Sequence, residues 1–244
     1  MTTDPYGDPE LVALYDVDNP GGADHDFYRA LAHAVGALRI VDLGCGTGLL
    51  TRSLATAGRS ATGIDPSHTM LDWAQRQPGA ENVTWIRGDA TSIAPTGDID
   101  LVLCTGNAIM HLEPDELATA LERSSAALRP GGVLSFESRN PSAREWHQWT
   151  RDATYAERHT DLGRLTEWLE VADVAGQRVT FDAHNVLPDG ADRVYTSVLY
   201  FRDADTLRTT VHDAGFDDVE IHGGWCGEDV TSTSRLLVVR ARRA

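Results

Sequence analysis

Over its first 140 residues the chain alternates short apolar runs with apolar stripes of helical period. Ile40-Val-Asp-Leu43, Ser60-Ala-Thr-Gly-Ile-Asp65, Asn82–Ala90, Asp98-Ile-Asp-Leu-Val-Leu-Cys104 and Val133-Leu-Ser-Phe-Glu-Ser138 read as buried strands. Between them lie Leu49–Ala55, a helix opened by Pro66-Ser67 and carrying Met70, Leu71 and Trp73, and the amphipathic stretch Pro114–Leu128. Strands that alternate with helices in this way predict a parallel sheet with crossover helices. Ahead of them, Leu11–Tyr15 predicts a helical turn or two. Asn19-Pro-Gly-Gly22 predicts a turn, and Asp24 an N-cap for a helix over about 25–36 with Phe27, Leu31 and Val35 on one stripe. The period falls toward two over 162–201: Leu165, Glu167, Leu169, Val171, then Val179, Phe181, Ala183, then Val194, Thr196, Val198, Tyr200. With Gly176 and Pro188-Asp-Gly190 as punctuation, that pattern predicts three antiparallel strands joined by hairpins. A helix over 204–214, stopped by Gly215, and strands at 219–222 and 235–240 complete the chain.

The first strand runs directly into Gly44-Cys-Gly-Thr-Gly48 and then a helix. Strand, glycine turn and helix open a nucleotide-binding βαβ unit, in which glycine tolerates positive φ and lets a ligand touch the backbone. The spacing decides between the variants. A dinucleotide fingerprint would place its third glycine where this chain has Leu49, and a P-loop would need a lysine that is absent. The second strand ends on Asp65, where such folds place a carboxylate to accept from both ribose hydroxyls.

The octapeptide Val41-Asp-Leu-Gly-Cys-Gly-Thr-Gly48 closely resembles motif I of the class I S-adenosylmethionine (SAM)-dependent methyltransferases, and Leu128-Arg-Pro-Gly-Gly-Val-Leu134 is similar to the segment around their fifth strand. The resemblance covers nearly all of 24–244, with motifs specific for the cofactor half. It implies one α/β domain over 1–244: a doubly wound, seven-stranded, mostly parallel sheet in the order 3-2-1-4-5-7-6, with strand 7 antiparallel. It also implies a SAM-binding core over 24–140 and a three-stranded antiparallel lid over 162–201 above the acceptor site. SAM is the expected cofactor. Asp42, Gly44, Cys45, Gly46, Gly48, Asp65, Pro66, Asp89, Ala90, Thr105 and Gly106 are its expected contacts, with Asp89 on the adenine amino group.

Ligands of parallel α/β sheets sit beyond the carboxyl ends of the strands, so Thr105 to His111 should border the reacting methyl group. His111 is the candidate general base, since an ordinary histidine pKa of about 6.5 suits proton removal near neutrality. Helix capping is the competing role for it. Tyr15, His25, Tyr28, Asn107, Arg139, Asn140, Trp146 and His184 are the candidate acceptor contacts.

Composition narrows the partners. A net charge of −16 argues against a nucleic-acid surface, and the acidic or asparagine-led Pro-Pro-aromatic motif of base-amine methylation is replaced by Thr105-Gly-Asn-Ala108. No apolar run reaches the roughly 20 residues of a membrane span, and Met1-Thr-Thr-Asp-Pro5 does not read as a leader, so a cytoplasmic location is expected. Cys45, Cys104 and Cys226 share no ligand spacing, so no metal is expected and the thiols should be reduced. The expected partner is a small-molecule acceptor, with the chain a monomer or homodimer. The expected reaction transfers a methyl group to an O or N nucleophile of that molecule. A nicotinamide-dependent oxidoreductase and a non-catalytic SAM-binding homologue are the alternatives.

Overall fold

The computed structural model describes residues 5–244, so the reading of Met1–Asp4 lies outside the described residues. Seven strands form the central sheet: β1 (Arg39–Leu43), β2 (Ser60–Asp65), β3 (Val83–Arg87), β4 (Ile99–Cys104), β5 (Leu128–Arg139), β10 (Phe216–His222) and β11 (Leu236–Arg243). Their order is β10-β11-β5-β4-β1-β2-β3. β1 pairs in parallel with β2 and β4, β2 with β3, and β4 with β5, whereas β11 runs antiparallel to both β5 and β10. This is the 3-2-1-4-5-7-6 arrangement, with the last strand inserted antiparallel.

Alternate residues of each strand enter different layers. Leu101 and Leu103 of β4 join Ile40 and Val133 under α2 (Ala23–Ala34) and α3 (Leu49–Leu54). Val102 and Cys104 face the opposite way, with Val41 and Leu43, toward α5 (Pro114–Ala127) and α7 (Ala204–Asp213). That two-sided burial is why these strands read as continuous apolar runs. α2 starts two residues earlier than expected. Gly22 is its N-cap, without a side-chain bond, and Asp24 lies in the first turn, where a negative charge suits the helix dipole. Its buried stripe is Tyr28, Leu31 and Ala32.

The second sheet corrects the expectation of three strands. It has four, β6 (Ala156–Thr160), β7 (Gly163–Ala175), β8 (Arg178–Val186) and β9 (Asp192–Tyr200), all antiparallel in sequence order. The unpredicted member is the edge strand β6, Ala156-Glu-Arg-His-Thr160. Its only apolar residue is Ala156, so it has no alternation to read, and polar edges are how sheets avoid unwanted pairing. Val179 and Leu199 of this sheet belong to the same apolar cluster as Phe136 of β5 and Leu117 of α5, so the second sheet is built into the main core. The helix α1 (Pro9–Asp18) reaches both sheets. Its Leu14 packs on Leu165 of β7 and Leu187 just after β8, Asp8 at its N-cap accepts from Tyr195 Oη at 2.5 Å, and Asp16 accepts from Thr47 Oγ1 in the glycine loop.

Candidate active site

The glycine loop turns back on β2: the Gly44 and Cys45 N–H groups donate to the Ile64 carbonyl at 2.7 and 3.1 Å. Its glycines have different causes. A Cβ on Gly48 would meet Trp85 Cη2 at 2.2 Å, so Gly48 permits packing of the loop on β3. Gly46 has a φ of +53° and lines the cavity, and a Cβ there would meet nothing within 4 Å. Its backbone therefore borders open space, as a ligand cradle requires. Gly106, with a φ of +67°, is a second position of the same kind on the cavity wall.

Asp65 holds this loop in place. Its Oδ2 accepts from Gly46 N–H at 2.8 Å and its Oδ1 from Ser67 N–H at 2.8 Å, while the residue stays only 7% exposed and lines the cavity. Asp65→Ala should therefore have two effects. Calorimetry should show SAM binding weakened by roughly 1–3 kcal/mol, the usual scale of charged hydrogen bonds. Thermal unfolding should also show a less stable fold, because two backbone donors lose their acceptor. Unchanged SAM affinity would remove Asp65 from the cofactor site.

The cavity has a volume of about 510 Å³ and lies beyond the carboxyl ends of β1, β2 and β4. The structure brings Gly44, Gly46, Asp65, Pro66, Asp89, Ala90, Thr105 and Gly106 together on its wall. Asp89 is also the cap of a short 3-10 turn, its Oδ1 accepting from Thr91 N–H at 2.8 Å and Thr91 Oγ1 at 2.6 Å, and these bonds hold its carboxyl below the usual range. The remaining wall joins Tyr15 and His111 to Tyr6, Leu112 and the lid residues Thr196, Ser197 and Val198 of β9. His111 Nε2 is 3.3 Å from Tyr6 Oη, and the two rings meet edge to face at 5.8 Å. Tyr6 meets Tyr15 edge to face at 6.4 Å. Burial, with the negative charges of Asp65, Asp16 and Glu137, pushes the Tyr15 phenol up, so it stays protonated.

The other expected site residues lie off this wall. Asp42 is buried beneath the loop, accepting from Thr51 Oγ1 at 2.6 Å while Oδ1 has no hydrogen-bond partner, and burial raises its carboxyl to about 7. The Cys45 thiol points at Gly63, where a Cβ would lie 2.9 Å from its sulfur. Tyr28 is a core residue with no exposed surface, and its hydroxyl donates to Glu137. Asn107 donates its backbone N–H to the same carboxylate at 2.6 Å. The His25 ring covers Gly21. After β5 the chain turns away from the cavity: Arg139 pairs with Glu145, Asn140 caps a short turn at Ser142, and Trp146 packs edge-on against Phe201 at 4.5 Å. His184 stacks on Trp168 at 4.4 Å between Glu170 and Asp192, also away from the cavity. Among the described residues no His, Cys, Asp or Glu cluster could hold a metal ion.

Sequence reasoning missed Tyr6, Glu137 and the lid triplet Thr196–Val198. Tyr6 was legible as an aromatic inside a polar segment. It is seated by Ser67 Oγ donating to its carbonyl at 2.5 Å, with Thr69 Oγ1 donating to Gly7 O at 3.1 Å. The lid triplet was hidden because alternation along β9 does not say which face meets the cavity.

A methyltransferase-domain family model matches residues 40–132. The chain is 27% identical over 211 residues to the cypemycin N-terminal methyltransferase of a Streptomyces species, covering 84% of this chain and 82% of that one. It is 33% identical over 123 residues to rat glycine N-methyltransferase, a match spanning only 43% of this chain and 41% of that enzyme. In structure it is similar to the CcbJ methyltransferase from Streptomyces caelestis, with a TM-score of 0.79 at 21% identity over the whole of both chains. It is also similar to CalS10, an amino pentose methyltransferase from Micromonospora echinaspora, with a TM-score of 0.70 at 21% identity over 96% of this chain and 97% of that one. No helix among the described residues is long and apolar enough to cross a membrane.

Proposed function

We propose that this chain, which belongs to the class I SAM-dependent methyltransferases, transfers a methyl group to an O or N nucleophile of a small molecule in secondary metabolism. One observation carries the reading: a single cavity joins the glycine loop and Asp65 to His111, two tyrosines and a strand of the lid. The names of relatives support it, among them the cypemycin N-terminal methyltransferase and CalS10 of calicheamicin biosynthesis. The residues fit the cofactor. Gly46 and Gly106 leave the space a ligand would fill, and Asp65 offers a carboxylate to a diol. SAM, when bound, supplies a methyl group already activated by its sulfonium.

The protein's own work is then to bind and orient. Asp65, Asp89 and the backbone at Gly46 and Gly106 form the cofactor wall. Tyr6 and Tyr15 present an aromatic and hydroxyl surface to the acceptor, and His111 is placed to take its proton. Thr196, Ser197 and Val198 close the space from above and exclude water. Excising the lid would strip the main core, because Val179 and Leu199 are part of it. Bulk added to its inner surface is the cleaner test. Ser197→Tyr should leave SAM affinity within about threefold while cutting methyl transfer from labelled SAM to metabolite pools by roughly a hundredfold, the scale of misplacing a bound reactant. Lost SAM binding in the folded variant, or unchanged transfer, would move the acceptor elsewhere. Wild-type protein that binds SAM but never turns it over would be a non-catalytic homologue.

A further inference from the structure

β5 carries a carboxylate where a strand buried on both faces would ordinarily carry an apolar residue. Glu137 is 3% exposed, between the buried Phe136 and Ser138. A buried carboxylate is costly unless its oxygens are occupied, and both are. Oε2 accepts the Tyr28 hydroxyl from α2, and Oε1 accepts the Asn107 N–H at 2.6 Å. Tyr28 is itself held by edge contacts with Phe27 at 5.2 Å and Trp225 at 5.7 Å, which aim its hydroxyl at the strand.

The Asn107 N–H belongs to an unusual turn. Gly106 and Asn107 are consecutive residues in the left-handed region, with φ of 67° and 59°. Such a pair is strained at the asparagine and persists only where its surroundings hold it. The turn leads into the 3-10 segment Ala108–His111, and Met110 N–H closes it by donating to the Asn107 carbonyl at 2.9 Å. Thr105, Gly106, Ala108 and His111 all line the cavity, whereas Glu137 does not. Ala108 also fixes the clearance to the glycine loop, since a Cβ on Gly44 would lie 2.7 Å from its own Cβ.

We propose that Glu137 is a positioning residue: by clamping the Gly106–Asn107 turn from behind, with Tyr28 as its second support, it sets the cavity wall that carries His111. The groups facing it are Tyr15 on α1, Tyr28 and Asp24 on α2, Asn107 on the turn, Cys104 on β4 and Asp42 on β1. Burial raises the Glu137 carboxyl to about 7, while the bonds from Tyr28 and Asn107 act in the opposite direction. The clamp should therefore tighten as pH rises through neutrality, when both oxygens become pure acceptors.

The kinetic part rests on the methyl-transfer reading; the clamp can be read without turnover. In nitrogen-15 NMR of the wild type, the Asn107 amide should titrate with a midpoint near 7 and move downfield as pH rises. Glu137→Gln should abolish that titration, Tyr28→Phe should shift its midpoint upward, and His111→Gln should leave it in place. Methyl transfer by folded Glu137→Gln should fall at least tenfold, and SAM affinity, through the Gly106 wall, by less than that. An Asn107 amide whose chemical shift is the same in wild type and Glu137→Gln at every pH would overturn the clamp whatever the reaction proves to be. A titrating amide with transfer within threefold of wild type in Glu137→Gln would overturn its role in setting the wall. Should Glu137→Gln fail to fold, Tyr28→Phe decides: an unmoved midpoint counts against the proposal.

Discussion

Gly46→Val should leave the chain folded and raise the SAM dissociation constant more than a hundredfold, roughly 3 kcal/mol or more. Two features of Gly46 set that expectation. Its φ of +53° is one that a β-branched residue adopts only under strain, on the order of 1–2 kcal/mol. Its missing Cβ also points into open space on the cavity wall, so valine methyls would occupy ligand volume rather than collide with protein. The Gly46 N–H bond to Asp65 Oδ2 ties any movement here to the carboxylate expected on the ribose. Gly48→Val is the control within the same loop. There the added atoms would strike Trp85 at 2.2 Å, so the main effect should be a lower melting temperature rather than a specific loss of binding. Calorimetry and thermal unfolding on both variants separate the two causes. A folded Gly46→Val protein that binds SAM normally would break the assignment of this loop to the cofactor.

The contrast between these glycines shows what the sequence could and could not say. Val41-Asp-Leu-Gly-Cys-Gly-Thr-Gly48 was legible because strand burial, turn chemistry and helix onset all act within ten residues. It did not reveal that Gly48 answers to Trp85 on a strand some 40 positions away, or that Cys45 turns toward Gly63. The order of the seven strands was implied by the resemblance to the class I methyltransferases, whereas the strands themselves were legible for the same local reason. β6 was not, because an exposed edge strand has no apolar period. Arg139, Asn140 and Trp146 were placed near the acceptor by their position beyond β5. In the fold, Arg139 stays in the ladder opposite Leu236 of the antiparallel β11, and the segment behind it packs on the lid base at Phe201. Glu137 read as one polar letter in an apolar strand. Its meaning depends on Tyr28 and Asn107, which are 109 and 30 positions away.

Removal of the His111 imidazole should cost roughly 10²–10⁴-fold in kcat, the usual range for a general base, with SAM affinity intact. The structure strengthens this expectation by removing its main competitor. Helix α5 needs no histidine at its start: Glu113 is its N-cap, Glu113 N–H donates to Glu116 Oε2 at 2.9 Å in a capping box, and Pro114 takes the first turn. His111 lies instead on the cavity wall, with Nε2 3.3 Å from Tyr6 Oη. That contact gives it a partner through which the ring can be oriented, so Tyr6→Phe should cost less than loss of the imidazole, about tenfold. The decisive measurement is the pH dependence of kcat for wild type, His111→Ala and His111→Gln. A base must be neutral to accept a proton, so wild-type activity should fall on the acidic side, and in both variants only the part of that limb due to protonation of Glu137 should remain. Glu137→Gln should retain the limb at lower amplitude, because it misplaces the imidazole without removing it. A loss under tenfold with the acidic limb unchanged would make His111 part of the wall only. Transfer would then depend on proximity and on an acceptor that sheds its proton unaided.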